Sequence, residues 1–141
     1  MSRPNRSRQT NGRSRAGDPG YLCPAVGGSG WGALSAAALQ RIDTAPVVYV
    51  SAISGFAVGI KVQKGKLHLP VPPADWFAAV LTHHHLEVLA LDLDVCLRST
   101  ALPAIHADPC DRMIIAAAQV YHLPVVTTDP LFERYGIEVI S

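Results

Sequence analysis

The sequence lacks the long apolar run that a membrane helix requires. Hydrophobic residues make up 49% of the 141 residues, and the mean hydropathy is +0.22. Even so, no apolar segment approaches the roughly 20 residues needed to cross a bilayer. The start of the chain also lacks the apolar centre of a secretory signal. We therefore expect a cytoplasmic protein with no membrane association.

Cysteine is scarce, and its spacing suits no structural role. Cys23, Cys96 and Cys110 are odd in number and far apart. This pattern matches neither a disulfide framework nor a CxxC metal site. Cysteines of this kind are typical of reduced thiols in a cytoplasm.

Acidic residues are absent from the start of the chain. From Asp18 onward the chain carries 7 basic and 11 acidic side chains. The main part of the chain is therefore mildly acidic. The basic start would suit nucleic-acid phosphates, but its polar composition also predicts a disordered tail. We predict a basic, disordered or aberrant segment at 1–33 and one domain at 34–141. The arginines before Asp18 are Arg3, Arg6, Arg8, Arg13 and Arg15.

Apolar spacing after Leu34 alternates between strand and helix periods. Short connections between such elements favour right-handed crossovers and a parallel sheet covered on both faces. We predict an α/β fold, a three-layer α/β/α sandwich with a mainly parallel sheet. The predicted strands are 47–50, LEVLAL, 125–128 and IEVI, and the predicted helices are LSAAALQRI, 51–64, a segment from Pro72, 95–101, a segment from Asp111 and 131–135.

Three aspartates stand where a parallel sheet binds ligands, beyond the carboxyl ends of its strands. Asp129 follows the strand 125–128, and Asp108 and Asp111 lie at the start of the preceding helix. Carboxylates brought together repel one another unless a cation neutralises them, which favours Mg²⁺ or Mn²⁺. Such an ion activates water for phosphodiester hydrolysis. The alternative is that Asp111 only caps its helix and Asp129 only shapes a turn.

Basic and histidine clusters elsewhere carry weaker signals. Lys61, Lys64 and Lys66 fit RNA phosphates or a solvated helix face equally well. The run of histidines at 83–85 predicts a solvated helix end, because neighbouring side chains on a helix point about 100° apart and do not face one ion.

Two long motifs resemble a known family. HADPCDRMIIAAAQVYHLPVVTTDPLFERYGIEVI resembles H-x-D-P-F-D-R-x-x-I-A-Q-A followed by T-x-D-x-x-F, the C-terminal signature of PIN-domain ribonucleases of the VapC toxin type. SAISGFAVGIKVQKGKLHLP resembles the family's S-A-x-S-x-W-E-x-x-I-K-x-x-x-G-K-L-x-L-P. The matched positions of the first motif are His106, Asp108, Pro109, Asp111, Arg112, Asp129, Phe132 and Gly136.

The resemblance implies a set of site residues. Asp111 and Asp129 match catalytic acids, and Asp108 is a supporting acid, so all three are expected at a Mg²⁺ or Mn²⁺ site. Lys61 and Arg112 are expected to contact RNA. Two family acids are missing: the Glu position on the helix is Ala57, and the Asp of the family's first strand has no counterpart in YLCPAVGGSGWG.

The resemblance also implies a function with one alternative. The expected function is a Mg²⁺-dependent endoribonuclease toxin with an RNA substrate, a cognate antitoxin and a homodimeric state. The alternative is a catalytically degenerate PIN module that retains only antitoxin binding or dimerisation, because losing metal ligands weakens a metal site severely. The Gly-rich stretch in place of the first strand further predicts a loss of buried apolar area and of stability.

Overall fold

A single parallel sheet organises the molecule. The computed structural model describes residues 20–23 and 34–141. The strands are β1 (Gly20–Cys23), β2 (Val47–Ser51), β3 (Leu86–Leu89), β4 (Val125–Val126) and β5 (Val139–Ile140). They lie side by side in the order β3-β2-β1-β4-β5, and every pair is parallel. Strand order therefore reverses between β1 and β4, which is where sheets of this kind form a ligand crevice.

Helices connect the strands, and local capping residues set several of their starts. The helices are α1 (Ala36–Asp43), α2 (Ile53–Gln63), α3 (Pro73–His83), α4 (Leu93–Ala101) and α5 (Pro109–Tyr121), with a 3-10 helix at Phe132–Tyr135. Ser35 Oγ accepts from the Ala38 N–H at 3.1 Å, and Asp92 Oδ1 accepts from the Val95 N–H at 2.9 Å. Both bonds satisfy N–H groups that lack partners inside the helix. No helix in the described ranges is long and apolar enough to cross a bilayer.

The core is divided between the two faces of the sheet. Side chains of α1 and α3 pack on one face with Tyr21 and Cys23, and side chains of α4 and α5 pack on the other with Leu22. This division follows from the alternation of side chains along a strand. The predicted three-layer α/β/α sandwich with a parallel sheet is confirmed.

β1 corrects the sequence prediction for the start of the domain. Gly20–Cys23 pairs with β2 on one side and β4 on the other, and all four residues are buried. The first strand is therefore present and central, and it lies before the predicted boundary at residue 34. The Gly and Pro residues that follow hid a short apolar strand, because β1 is only four residues long. The prediction of disorder for the other early residues falls on 1–19 and 24–33, outside the described residues.

Gly20 gives a test of how tightly β1 is packed. A Cβ at this position would lie 2.8 Å from Tyr49 Cε2 and 2.9 Å from Val47 Cγ1, whereas a Cβ at Gly55 on α2 would meet no atom within 4 Å. We expect Gly20→Ala to lower the free energy of unfolding by about 1 to 3 kcal/mol through overpacking. Gly55→Ala should raise it by up to about 1 kcal/mol. Urea denaturation measures both, and equal effects would contradict the packing of β1.

Candidate metal centre

The two predicted catalytic aspartates lie at the edge of the sheet where the carboxyl ends of the parallel strands meet, called here the carboxyl edge. Asp129 follows β4 in the loop that leads to the 3-10 helix, and Asp111 lies in the first turn of α5. Because α5 runs back to the amino end of β4, its own N-terminus lies at the opposite, carboxyl edge. The parallel topology therefore brings two residues that are 18 positions apart into the crevice beside the β1–β4 switch point.

A histidine joins the two aspartates. His106 Nε2 lies 3.1 Å from Asp111 Oδ2 and 3.0 Å from Asp129 Oδ2. Ligand atoms of these three residues all lie within 4.8 Å of one another. The His106 side chain is 11% exposed, and the aspartates are 30% and 35% exposed, so the carboxylates remain open to solvent on one side. The structure brings together Asp111 and Asp129 as the sequence predicted, while their role as metal ligands stays a prediction.

Burial and like charges oppose ionisation of Asp111. Desolvation is the main cause that raises the pKa of Asp111, and the charges of Asp108 and Asp129 raise it further. Electrostatic interactions with His106 and Lys61 lower the pKa but do not cancel the rise. The ionised form of Asp111 is therefore only partly compensated by its neighbours, a condition that a bound cation would relieve.

Asp108 takes the capping role that the sequence analysis considered for Asp111. Asp108 is the N-cap of α5, and its Oδ1 accepts from the Cys110 N–H at 2.8 Å and the Asp111 N–H at 3.5 Å. The interpretation of Asp111 as the cap is therefore wrong by one helical turn. Asp108 is exposed and lies outside the group of three ligand atoms, so it affects the site through its charge and through the start of α5.

Asp129 both shapes a turn and faces the cluster. Its Oδ1 accepts from the Leu131 N–H at 3.0 Å, and its own N–H donates to Thr127 Oγ1 at 3.1 Å. These bonds leave Oδ2 directed at His106. A turn role and a metal role for Asp129 are thus compatible, because the turn uses Oδ1 and the cluster uses Oδ2.

Arg112 donates hydrogen bonds within the fold. Its two terminal nitrogens donate to the backbone carbonyls of four residues at 2.9 to 3.1 Å, namely Ser99, Leu102, Pro103 and His106. These carbonyls belong to the end of α4 and to the loop before α5. These four bonds give Arg112 a structural role, and its expected RNA contact stays a prediction.

α2 lies beside the aspartates. Ile53 packs in the core cluster that contains α5, and the charge of Lys61, two turns later on the same face, acts on Asp111. Ala57 lies between these two positions and is half-buried. Lys61 itself is exposed. The position of the family's Glu is therefore occupied by the methyl group of Ala57, on the helix face that also carries Ile53 and Lys61.

His106 is the functional candidate that sequence reasoning missed. It is the first residue of the H-x-D-P-x-D-R motif, but its side chain was not assigned a role. The signal was its position in that motif, five residues before Asp111. Its distance from Asp129 is set by the fold and is not visible in the sequence.

Other candidates lie at the opposite edge of the sheet. The histidines at 83–85 span the end of α3 and the turn before β3, and the rings of His83 and His84 are 4.7 Å apart. A separate pocket of about 430 Å³ includes Arg98, His122 and Glu138 and lies where β4 and β5 begin. Neither feature contributes to the acidic cluster.

Comparison with known proteins identifies the family. A family model described as the PIN domain matches residues 32–138. The chain is 31% identical over 97 residues to ribonuclease VapC22 of Mycobacterium tuberculosis. The aligned region covers 68% of this chain and 73% of that protein. The fold resembles the crystal structure of FitAcB from Neisseria gonorrhoeae, with a TM-score of 0.52 and 18% identity over 73% of this chain and 82% of that one.

A second solved structure, FitAB bound to an IR36 DNA fragment, has a TM-score of 0.53 and 19% identity over 72% of this chain and 79% of that one. At these identities the two solved structures support the fold alone. The parallel sandwich, with its carboxylates beside the switch point between β1 and β4, defines an α/β protein of the doubly wound type. The chain belongs to the PIN domain family.

Proposed function

We propose that this chain is a metal-dependent endoribonuclease toxin of the VapC type, in which Asp111 and Asp129 are the catalytic acids and hold Mg²⁺ or Mn²⁺. The single observation that carries the proposal is the convergence of both carboxylates on one point at the carboxyl edge. The relative VapC22, a ribonuclease, supports RNA as the substrate class. Asp108 is proposed as a supporting acid of the same metal site.

The donor chemistry of the cluster fits a hard divalent cation. Two carboxylates that are about one third exposed offer oxygens to an ion that keeps several waters. When bound, such an ion supplies an activated water and neutralises charge on the phosphodiester. Asp111 and Asp129 would hold it, and the exposed Lys61 beside them would neutralise a neighbouring RNA phosphate.

The proposal includes two protein partners. An antitoxin would cover the acidic crevice, and a second copy would form a homodimer; both follow from the resemblance to VapC-type toxins. Phe56 on α2 is 61% exposed next to Ala57, and a partner that covered α2 would remove this apolar side chain from water. This position supports a partner that contacts α2.

The alternative is a PIN module without catalysis, which Ala57 and the absence of acids between Gly20 and Leu34 favour. Calorimetry with Mn²⁺ and Mg²⁺, followed by RNA cleavage assays of the wild type and Asp111→Asn, separates the two. Binding and cleavage that Asp111→Asn abolishes support the enzyme. A folded wild-type protein that binds metal ions and cleaves RNA no better than Asp111→Asn supports the module.

The raised pKa of Asp111 predicts an effect on stability. A carboxyl group whose pKa is raised by folding contributes most below its ordinary pKa, and that contribution is lost as pH rises through the raised value. In metal-free buffer at neutral pH, we therefore expect Asp111→Asn to be more resistant to urea than the wild type. The difference should vanish as pH falls below the ordinary carboxyl range. Greater wild-type stability at neutral pH without metal would contradict this prediction.

A further inference from the structure

Both aspartates meet at one ring nitrogen, and two arrangements give such distances. His106 Nε2 lies 3.1 Å from Asp111 Oδ2 and 3.0 Å from Asp129 Oδ2. Neighbouring ligands of an octahedral ion also lie roughly 3 Å apart, since each is about 2.1 Å from the metal. The distances alone therefore fit either a nitrogen that binds the ion or an N–H that donates to the carboxylates.

The other ring nitrogen separates the two arrangements. His106 Nδ1 lies 3.3 Å from the backbone nitrogen of Asp108, whose N–H donates to it. A neutral imidazole has one N–H and one lone pair, so an accepting Nδ1 leaves the hydrogen on Nε2. A histidine that binds a metal does the reverse, because its second nitrogen donates to an acceptor. The surroundings of His106 therefore favour an N–H directed at the aspartates.

The backbone around His106 is held from two sides. Tyr135 Oη accepts from the N–H of His106 at 2.7 Å, and an Arg112 terminal nitrogen donates to the His106 carbonyl at 3.1 Å. The ring packs edge-on against Phe132 with centroids 5.7 Å apart. These contacts come from α5 and the 3-10 helix, so the direction of the Nε2–H is set by the fold before any ion arrives.

We propose that His106 is a positioning residue whose Nε2–H bridges Asp111 and Asp129 and holds the carboxylates at the spacing that a cation needs. Each carboxylate keeps further lone pairs for an ion, because His106 uses only Oδ2 of each. The histidine thus supplies organisation that the methyl group of Ala57 does not. This inference rests on the proposed metal-dependent function.

The test uses Mn²⁺ alone as a probe of the full chain. Calorimetry compares the wild type with His106→Ala, with His106→Gln, whose amide N–H reaches about as far as Nε2, and with His83→Ala, an exposed histidine at the opposite edge. We expect His106→Ala to weaken Mn²⁺ binding about 10- to 100-fold, as loss of an outer partner does. His106→Gln should restore most of the affinity, and His83→Ala should change nothing. Electron spin-echo spectra of bound Mn²⁺ should show no histidine nitrogen coupling in the wild type.

Several outcomes overturn the inference while the proposed function stands. These are nitrogen coupling that disappears in His106→Gln, and unchanged affinity in His106→Ala while Asp111→Asn abolishes binding. If His106→Ala does not fold, a folded His106→Gln protein decides: retained affinity supports bridging, and lost affinity opposes it. If the wild type and Asp111→Asn bind Mn²⁺ equally, the proposed function itself fails.

Discussion

Replacing Ala57 with Glu should raise the affinity of this protein for Mn²⁺ by about 10- to 100-fold, the change associated with one ligand or organiser of a metal site. Ala57 is half-buried on the face of α2 that lies between Ile53, which packs in the cluster containing α5, and Lys61, whose charge acts on Asp111. A carboxylate at this position would extend toward the aspartates. It would add an oxygen ligand, or an acceptor for a metal-bound water, to a site with two converging carboxylates.

Gln63→Glu provides the matched control for this gain. It places the same charge on the same helix, but Gln63 is exposed and lies six positions from Ala57, on a different side of α2. Calorimetric titration of the wild type and both variants with Mn²⁺ measures the effect. An equal gain in both variants would mean that net charge is responsible. No gain in a folded Ala57→Glu protein would mean that α2 does not reach the ion.

The arrangement of the fold was predictable because its signals are local. Apolar runs such as VVYV and the Ser35 cap define elements within a few residues, and alternation of strands and helices then implies a parallel sheet. β1 was missed because four buried residues carry too little pattern against the Gly and Pro residues that follow. Only its neighbours, β2 and β4, establish Gly20–Cys23 as a central strand.

The candidate site was predictable only in part. Asp111 and Asp129 follow from topology, since one starts the helix before β4 and the other follows the strand. The alternative considered for Asp111, helix capping, belongs to Asp108 one turn earlier, because both positions favour aspartate. The roles of His106 and Arg112 depend on contacts between separate loops, which no spacing in the sequence reveals.

We expect Arg112→Ala to lower the free energy of unfolding by about 3 kcal/mol or more, because it breaks a network of charge-assisted hydrogen bonds. Four backbone carbonyls lose their guanidinium donor, and two of them, those of Ser99 and Leu102, lie at the C-terminal end of α4. A positive charge at that end also stabilises the helix. Arg112→Lys should recover little, since one ammonium group does not reproduce the fork of a guanidinium.

Arg134→Ala is the control, because Arg134 is exposed on the 3-10 helix and its removal should change stability by no more than about 0.5 kcal/mol. Combining Arg112→Ala with Tyr135→Phe tests the network directly. Arg112 and Tyr135 both donate to the Pro103 carbonyl at 2.9 Å, so their effects in urea denaturation should depart from additivity by roughly 0.5 kcal/mol or more. Suppose that Arg112→Ala were as stable as Arg134→Ala but bound RNA more weakly than the wild type. The Arg112 guanidinium would then bind RNA phosphates and would not stabilise the loop that holds His106.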